Sequence, residues 1–578
     1  MVLTSASKTN PTLLILEFGL TGIAIAASFA WPQLGEGLFR RIERMSGRLA
    51  RRKKLAAAAI GLSVIVLRLA LLPLYPIPLP FVPDDFSFIL AGDTFAHGHL
   101  TNPTPTMWTH LESIHITMQP TYQSMYFPGE GLLLAAGKVL FGHPWFGLLI
   151  VDGLFCAALC WMLQAWLPAN WALLGGFIAV LRLGLFSDWI NTYHTSGTLD
   201  ALAGALVLGG LPRLIKTGRF RYGVLIGIGV AIAAITRPYE GLLLCLPVAV
   251  ALGQWIFKGK NRPSTSVLVR RAAVPLAIIT AAVAWLGYYD LKAFGKVTTL
   301  PYTVNRATYA IAPYYVWQSP RPEPVYRYPE MRAFYEKKKG EMGFYYQIHS
   351  VKGFIPYTME KAGFTVLFYA GFLLLPPLVM VRRIFLDRRI RFLVICVLVL
   401  AAGLLIEIYL LPHYVAAFTA AFYAIGLQMM RHMRFCKPEG RPMGMAMVRW
   451  MVVLCVVLAG VRLFAKPLRM EPPEFPPSNW NFEWYGPEHF GVERAQIEAK
   501  LNQLPGDQLV IVHYEPDHDP LDEWVYNDAD IDHSKVVWAR DAGAAANSEL
   551  FRYYQNRKVW LVEPDTNPVR ITPYPIGE

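Results

Sequence analysis

The feature that most constrains this chain is a repeated one. Long apolar runs alternate with short loops in which Lys and Arg are concentrated on every second connection. Runs of roughly 17–25 residues are long enough to cross the hydrocarbon of a bilayer. About twelve such runs are read here, near 11–31, 55–76, 144–166, 171–188, 197–213, 221–236, 239–257, 272–290, 362–381, 391–411, 413–430 and 446–465. At 54% hydrophobic and only 16% charged residues, the chain is too apolar for an ordinary soluble enzyme. The fold class expected is therefore a polytopic α-helical membrane protein.

A formal net charge of +13 is compatible with nucleic acid binding, but the positions of the charges argue against it. They fall in RRIERMSGRLARRKK (40–54), RLIKTGRFR (213–221), KGKNRPSTSVLVRR (258–271), RRIFLDRRIR (382–391) and RHMRFCKPEGR (431–441). Basic short loops stay in the cytoplasm, so these segments set the orientation, with no nucleic acid partner expected. The opposite loops are expected on the outer face: a long one at 77–143, SDWINTYHTSG (187–197), TRPYE (236–240), a second long one at 291–361, LPHY (411–414), and everything after about 466. Both termini then face outward. The 11–31 run, preceded by little positive charge, reads as a retained span and not as a cleaved signal.

Three domains follow. Residues 1–54 form an extra N-terminal span with a basic cytoplasmic loop, and 55–465 form the membrane domain with its outer loops 77–143 and 291–361. Residues 466–578 form a small soluble α/β domain on the outer face, entered through the stiff PPEFPP (472–477). In that domain 493–504 and 547–555 read as helices, and 507–514, 535–540 and 558–563 as strands. Its acidic stretch 515–533 lacks the glycine and terminal glutamate of a calcium loop and reads as a solvated acidic loop. No cysteine lies in an outer loop and no Cys/His cluster has zinc spacing, so metal use is unassigned, a divalent cation remaining an open option.

The first long outer loop opens with VPDDFSFILAGDTFAHGHL (82–100), where Asp84 and Asp85 follow directly on an apolar run. Acidic residues there can cap the first turn of a helix lying on the membrane surface. They can equally present a base at headgroup depth.

Four pieces in fixed order favour the second reading: Asp84–Asp85; Tyr126-Phe127-Pro128-Gly129, which closes the loop; Thr236-Arg237-Pro238-Tyr239-Glu240-Gly241 at an outer helix end; and Leu411-Pro412-His413-Tyr414 leading into an apolar helix. Over residues 55–430 this arrangement resembles the GT-C superfamily of integral membrane glycosyltransferases, in particular protein O-mannosyltransferases and lipid A aminoarabinose transferases. The chain departs from that pattern in two places. Asp85 stands where the family commonly has Glu, and the lysine of the loop-closing motif is missing unless Gln119 or Glu130 takes part.

The resemblance implies transfer of a sugar from a polyprenyl-phosphate donor to an acceptor glycan, lipid or protein, on the outer face of a bacterial inner membrane. Asp84 or Asp85 would be the base, acting on the acceptor. Arg237, His413, Tyr414, Tyr126, Gln119, Glu240 and Asp188 would bind substrate, Arg237 gripping the phosphate with its planar fork. The bland readings are interfacial snorkelling for Arg237 and belt residues for the tyrosines. The 298–347 stretch would cover the cavity, or else attract headgroups through Lys337, Lys338 and Lys339. Other classes open at this stage are an O-antigen ligase-like or other envelope polysaccharide enzyme, a transporter, and a membrane scaffold.

Overall fold

The structure is a computed structural model describing residues 11–258, 264–336, 340–371, 375–464, 468 and 491–575. The 472–477 exit and Lys337–Lys339 lie outside the described residues. The protein is a polytopic helical membrane protein. Among the described residues, five helices are long and apolar enough to span a bilayer: Trp145–Trp166, Gly197–Thr217, Pro238–Lys258, Thr265–Phe294 and Met443–Leu463. Shorter apolar helices occupy Ile15–Ala30, Ala169–Gly184, Phe220–Thr236 and Arg391–Leu404.

Several expected spans are broken. The 171–188 run is an α-helix, Ala169–Ala179, that loosens into a π-turn at Val180–Gly184. The 362–381 run ends its helix at Tyr369, with Pro376–Met380 forming a 3₁₀ turn beyond it. Gly371 makes that stop: at φ 58° its N–H folds back onto the Val366 and Leu367 carbonyls. The 413–430 run enters through a 3₁₀ turn, Pro412–Phe418, before the Thr419–Met433 helix. The basic segment 40–54, expected as a loop, is mostly helical, Glu36–Arg51 and Lys53–Ala70 meeting at Arg52.

Small residues set the close contacts, since helix association in a bilayer relies on backbone approach. A Cβ on Gly61 would lie 2.6 Å from the Gly153 carbonyl oxygen, so the Lys53–Ala70 and Trp145–Trp166 helices touch backbone to backbone there.

Residues 491–575 form a sheet in the order 536–540, 508–512, 558–563, 570–573, the first three parallel and the last antiparallel. The Ala544–Tyr553 helix supplies the crossover from 536–540 to 558–563, and the Val492–Gln503 helix leads into the first strand. One face of the sheet shares a core with the first long loop: Phe86, Leu90, Leu111, Ile116 and Tyr122 pack with Leu509, Ile511, Tyr526, Val537 and Leu550. Burial of this size is the main adhesive between the two segments. Arg540 adds a clasp, its buried guanidinium donating to the Glu112 carbonyl at 2.6 Å, Glu330 at 2.6 Å and Glu523 at 2.5 Å. The sheet is therefore built into the loop layer instead of standing apart from it.

Candidate active site

A cavity of about 910 Å³ opens where that loop layer meets the ends of the helices. Its wall draws on six stretches of sequence: the first loop, the 236–240 corner, the second loop, the 357–364 and 407–414 segments, and 516–521, which follows the 508–512 strand.

Asp84 and Asp85 sit in the first turn of the Pro83–Ala96 helix, which Pro83 starts in the position where its missing N–H costs nothing. One residue of helix rotation separates their fates. The Asp85 carboxylate is fully buried and accepts hydrogen bonds from the backbone N–H groups of Phe81 (3.2 Å), Val82 (3.5 Å) and Tyr193 (2.8 Å), and it pairs with His194 Nδ1 at 2.9 Å. It satisfies the helix start from one side and the 192–196 loop from the other. The capping role expected of the pair thus falls to Asp85, whose place as a base is corrected accordingly: it does not line the cavity.

Asp84 does line it, with its side chain 29% exposed. The Tyr126 hydroxyl donates to its Oδ1, and His115 Nδ1 lies 3.3 Å from the same oxygen. His115 Nδ1 is also 3.1 Å from the Tyr126 hydroxyl, closing a triangle of three polar groups. Burial opposes ionisation of Asp84, but the neighbouring His115 and His194 and the Tyr126 hydrogen bond outweigh it and hold its carboxyl well below the usual carboxylate range. His194 behaves in the opposite way: burial alone would lower it, yet Asp85, with Asp84 and Asp188 behind it, raises it to about 9.

Arg237 occupies the corner between two helices, Phe220–Thr236 and Pro238–Lys258. Proline at 238 excludes helical backbone at the preceding residue, and Arg237 accordingly has φ −130°, ψ 79°. This break aims its side chain into the cavity, over the Tyr414 ring at 4.2 Å. The closing motif of the first loop sets the spacing: a Cβ on Gly129 would meet Thr236 Cγ2 at 2.3 Å, so only glycine lets the two motifs approach this closely. Arg237 is 10% exposed, and the carboxylates closest to it are Asp200 at 3.5 Å and Glu240 at 4.0 Å. Among the described residues no group accepts a hydrogen bond from its Nε. That Nε is the atom facing Asp200, so an oxyanion in the cavity would meet the guanidinium through its terminal nitrogens.

The remaining sequence candidates divide. Tyr126, Glu240 and Tyr414 are on the cavity wall. His413 is not: it is buried behind the wall, 4.0 Å from Asp188, with its ring packed edge to face on Tyr414 at 4.9 Å. Asp188 is likewise buried and off the wall, at the start of the short Asp188–Asn191 helix. Gln119 is exposed between the strands Ile116–Thr117 and Gln123–Ser124 and also lies off the wall. Glu130, buried and off the wall, is raised by burial, with Asp200 adding to the effect, to about 8.

Sequence reading missed several wall residues. His115 carries no motif, and only its positive φ of 62° distinguishes it, a conformation rare outside glycine. Arg306, in the second loop, is buried, donates to Glu341 at 2.5 Å and to the Ala312 carbonyl at 2.5 Å, and stacks on Tyr314 at 4.8 Å. Short backbone pairings, Val316 N to Ile406 O at 3.0 Å and Ile408 N to Tyr314 O at 2.8 Å, tie that loop across the cavity. Asp517, His518 and Asp519, read as part of a solvated acidic loop, stand on the rim. Among the described residues no group of three or more His, Cys, Asp or Glu is arranged to hold a metal ion.

No family model matches the sequence, and no curated protein matches it. Among solved structures the chain is similar to ArnT from Cupriavidus metallidurans bound to undecaprenyl phosphate, with 14% identity and a TM-score of 0.49 over 88% of this chain and 92% of that one. The apo form of that ArnT gives 15% identity and a TM-score of 0.46 over the same shares. An oligosaccharyltransferase from Archaeoglobus fulgidus, in complex with Zn and sulfate, gives 12% identity and a TM-score of 0.43 over 88% of this chain and 67% of that one.

Proposed function

We propose that this protein transfers a sugar from a polyprenyl-phosphate donor to a hydroxyl or amine acceptor. Residues 55–465 would form its catalytic domain, with the cavity facing the periplasm of a bacterial inner membrane. The observation that carries this reading is the pairing of two unlike groups on one wall. Asp84 is an ionised carboxylate in the open cavity, and Arg237 lines the same cavity, its Nε held toward Asp200 at 3.5 Å.

The chemistry needs those two groups. The acceptor oxygen or nitrogen attacks the anomeric carbon, the bond from that carbon to the phosphate oxygen breaks, and the electron pair leaves with the lipid phosphate. Arg237 neutralises the charge that develops on the phosphate. Asp84 takes the acceptor proton. A carboxylate held this acidic is a weak base, but the acceptor proton becomes strongly acidic as the new bond forms. A weak base that is fully ionised at neutral pH is therefore sufficient. His115 and Tyr126 hold Asp84 in place, while tyrosines 302, 314 and 409 offer flat faces to a sugar ring.

The test is transfer of radiolabelled sugar from a panel of polyprenyl-phosphate donors in membranes containing this chain, with Asp84→Asn and Arg237→Ala at matched expression. Loss of transfer in both supports the assignment. Undiminished transfer in either variant removes that residue from the mechanism, and absence of transfer from every donor refutes the reaction class.

A further inference from the structure

On the arginine-rich side of the molecule, far in the fold from the cavity, the Glu36–Arg51 helix has a pattern the catalytic reading does not use. At 1.5 Å per residue it is about 24 Å long. It connects the apolar helix ending at Ala30 to the Lys53–Ala70 helix, so both of its ends lie at the same membrane surface and the helix runs along that surface. Its polar and apolar residues are sorted by face. Leu38, Ile42 and Met45, at helical spacing, are 63%, 52% and 62% exposed. Leu34 and Trp31, just before the helix, are 55% and 64% exposed. Gly47 and Ala50, about half a turn round, are buried, and Gly47 lies against Asn170 at the start of the Ala169–Ala179 helix. The third face carries Arg40, Arg41, Arg44, Arg48 and Arg51, with Arg52 following.

The acids of this helix are already engaged. Glu36 pairs with Arg40 at 2.8 Å, and Glu43 pairs with Arg449 of the Met443–Leu463 helix at 2.9 Å. Among the described residues, Arg41, Arg44, Arg48, Arg51 and Arg52 have no carboxylate partner, and all are exposed. An apolar stripe on an exposed helix is unfavourable in water and favourable in the acyl region just below the headgroups, where neighbouring arginines meet lipid phosphates. Uncharged headgroups would leave the arginine face without counter-charge, whereas each basic residue near an anionic surface contributes about 1 kcal/mol.

We propose that the Glu36–Arg51 helix is an in-plane anchor that binds the anionic phospholipids of its leaflet. Leu38, Ile42 and Met45 sit among the acyl chains and Arg40, Arg41, Arg44, Arg48 and Arg51 sit on the headgroups. This holds independently of the sugar-transfer reading.

The full-length protein in nanodiscs of phosphatidylcholine with or without phosphatidylglycerol tests it. Native mass spectrometry after release should show wild type retaining phosphatidylglycerol in preference to phosphatidylcholine. An Arg40→Gln/Arg41→Gln/Arg44→Gln variant should lose at least half of that excess, and the corresponding Lys variant should keep it. A nitroxide on Ile42→Cys should report oxygen-rich, water-poor surroundings, and one on Arg44→Cys the reverse. Equal retention by wild type and the Gln variant, or a water-exposed label at Ile42 in the anionic discs, overturns the proposal. The Ile42 label in an otherwise wild-type chain keeps the test decisive if the triple variant does not fold.

Discussion

The surroundings of Asp84 and Asp85 differ more than those of most residues at opposite ends of a protein. The cage around Asp85 is closed: three backbone N–H groups and an imidazole occupy the carboxylate, and no solvent reaches it. The setting of Asp84 is open, with one hydroxyl and one imidazole on a single oxygen and the rest of the carboxylate turned to the cavity. Identical side chains one position apart thus do unlike work. The inner one fixes the start of the helix, and that fixed start is what holds the outer one at a defined place on the wall.

The contrast is most directly broken by exchanging each acid for its amide. Asp84→Asn should lower sugar transfer by about 10²–10⁴-fold, the range for loss of a positioned base, with the melting temperature unchanged. An unaltered rate would show that the open carboxylate is a bystander. Arg237→Ala should cost about 10²–10³-fold through loss of charge stabilisation at the phosphate, with Arg237→Lys recovering part of it. Steady-state kinetics against donor concentration would separate this from simple loss of binding.

Asp85→Asn should act on the fold instead, removing about 3–5 kcal/mol as a buried pair loses its carboxylate, visible as a lower midpoint in thermal unfolding of the detergent-solubilised protein. Loss of turnover with an unchanged midpoint would reverse the division of labour argued here.

The same cage predicts a pH dependence. His194 is raised above its ordinary value to about 9, so the folded state binds its proton more tightly than the unfolded chain does. The stabilisation is complete below about pH 6.5 and is lost as pH rises through about 9, a change of about 3 kcal/mol. Melting temperature should fall over that window in wild type and stay flatter in His194→Gln. A wild-type profile with no such fall would remove the charged pair.

The smallest effect belongs to Tyr126→Phe. It deletes one hydrogen bond to the ionised form of Asp84, so the acid limb of the pH–rate profile should move to higher pH, with a loss in rate of about 3–10-fold. An unmoved limb would mean that the imidazoles of His115 and His194 set the acidity of Asp84 without Tyr126.

The legible part of the fold was what one-dimensional pattern encodes. Apolar run length exposed the membrane class, and pattern marked strands at 507–514, 535–540 and 558–563, where the structure has 508–512, 536–540 and 558–563. Run length did not show that the helix would end at Tyr369 ahead of Gly371, nor that the basic 40–54 segment is largely helical, because hydropathy averages over the local breaks and the surface helix. At the cavity, Asp84, Tyr126, Arg237, Glu240 and Tyr414 were legible because each sits in a short motif at a helix end. His115, Arg306 and the 516–521 rim were not, since their place depends on folding between segments hundreds of residues apart in sequence, which no local period records. His413 was misplaced for a simpler reason: adjacent residues in a 3₁₀ turn face different ways, and the sequence does not say which of the two faces inward.

The Arg540 clasp has a bearing on how the protein is made. Asp84 and its helix are synthesised early, Arg237 midway, and the sheet that supplies Arg540 and the 516–521 rim only after the helices are in place. A nascent chain can therefore insert its helices and hold its acids without possessing a complete cavity. Docking of the last sheet, which binds Glu112, Glu330 and Glu523 through one guanidinium, joins the early and late segments in a single step. On the catalytic reading, docking of the 491–575 segment, and not insertion of the helices, closes the cavity wall.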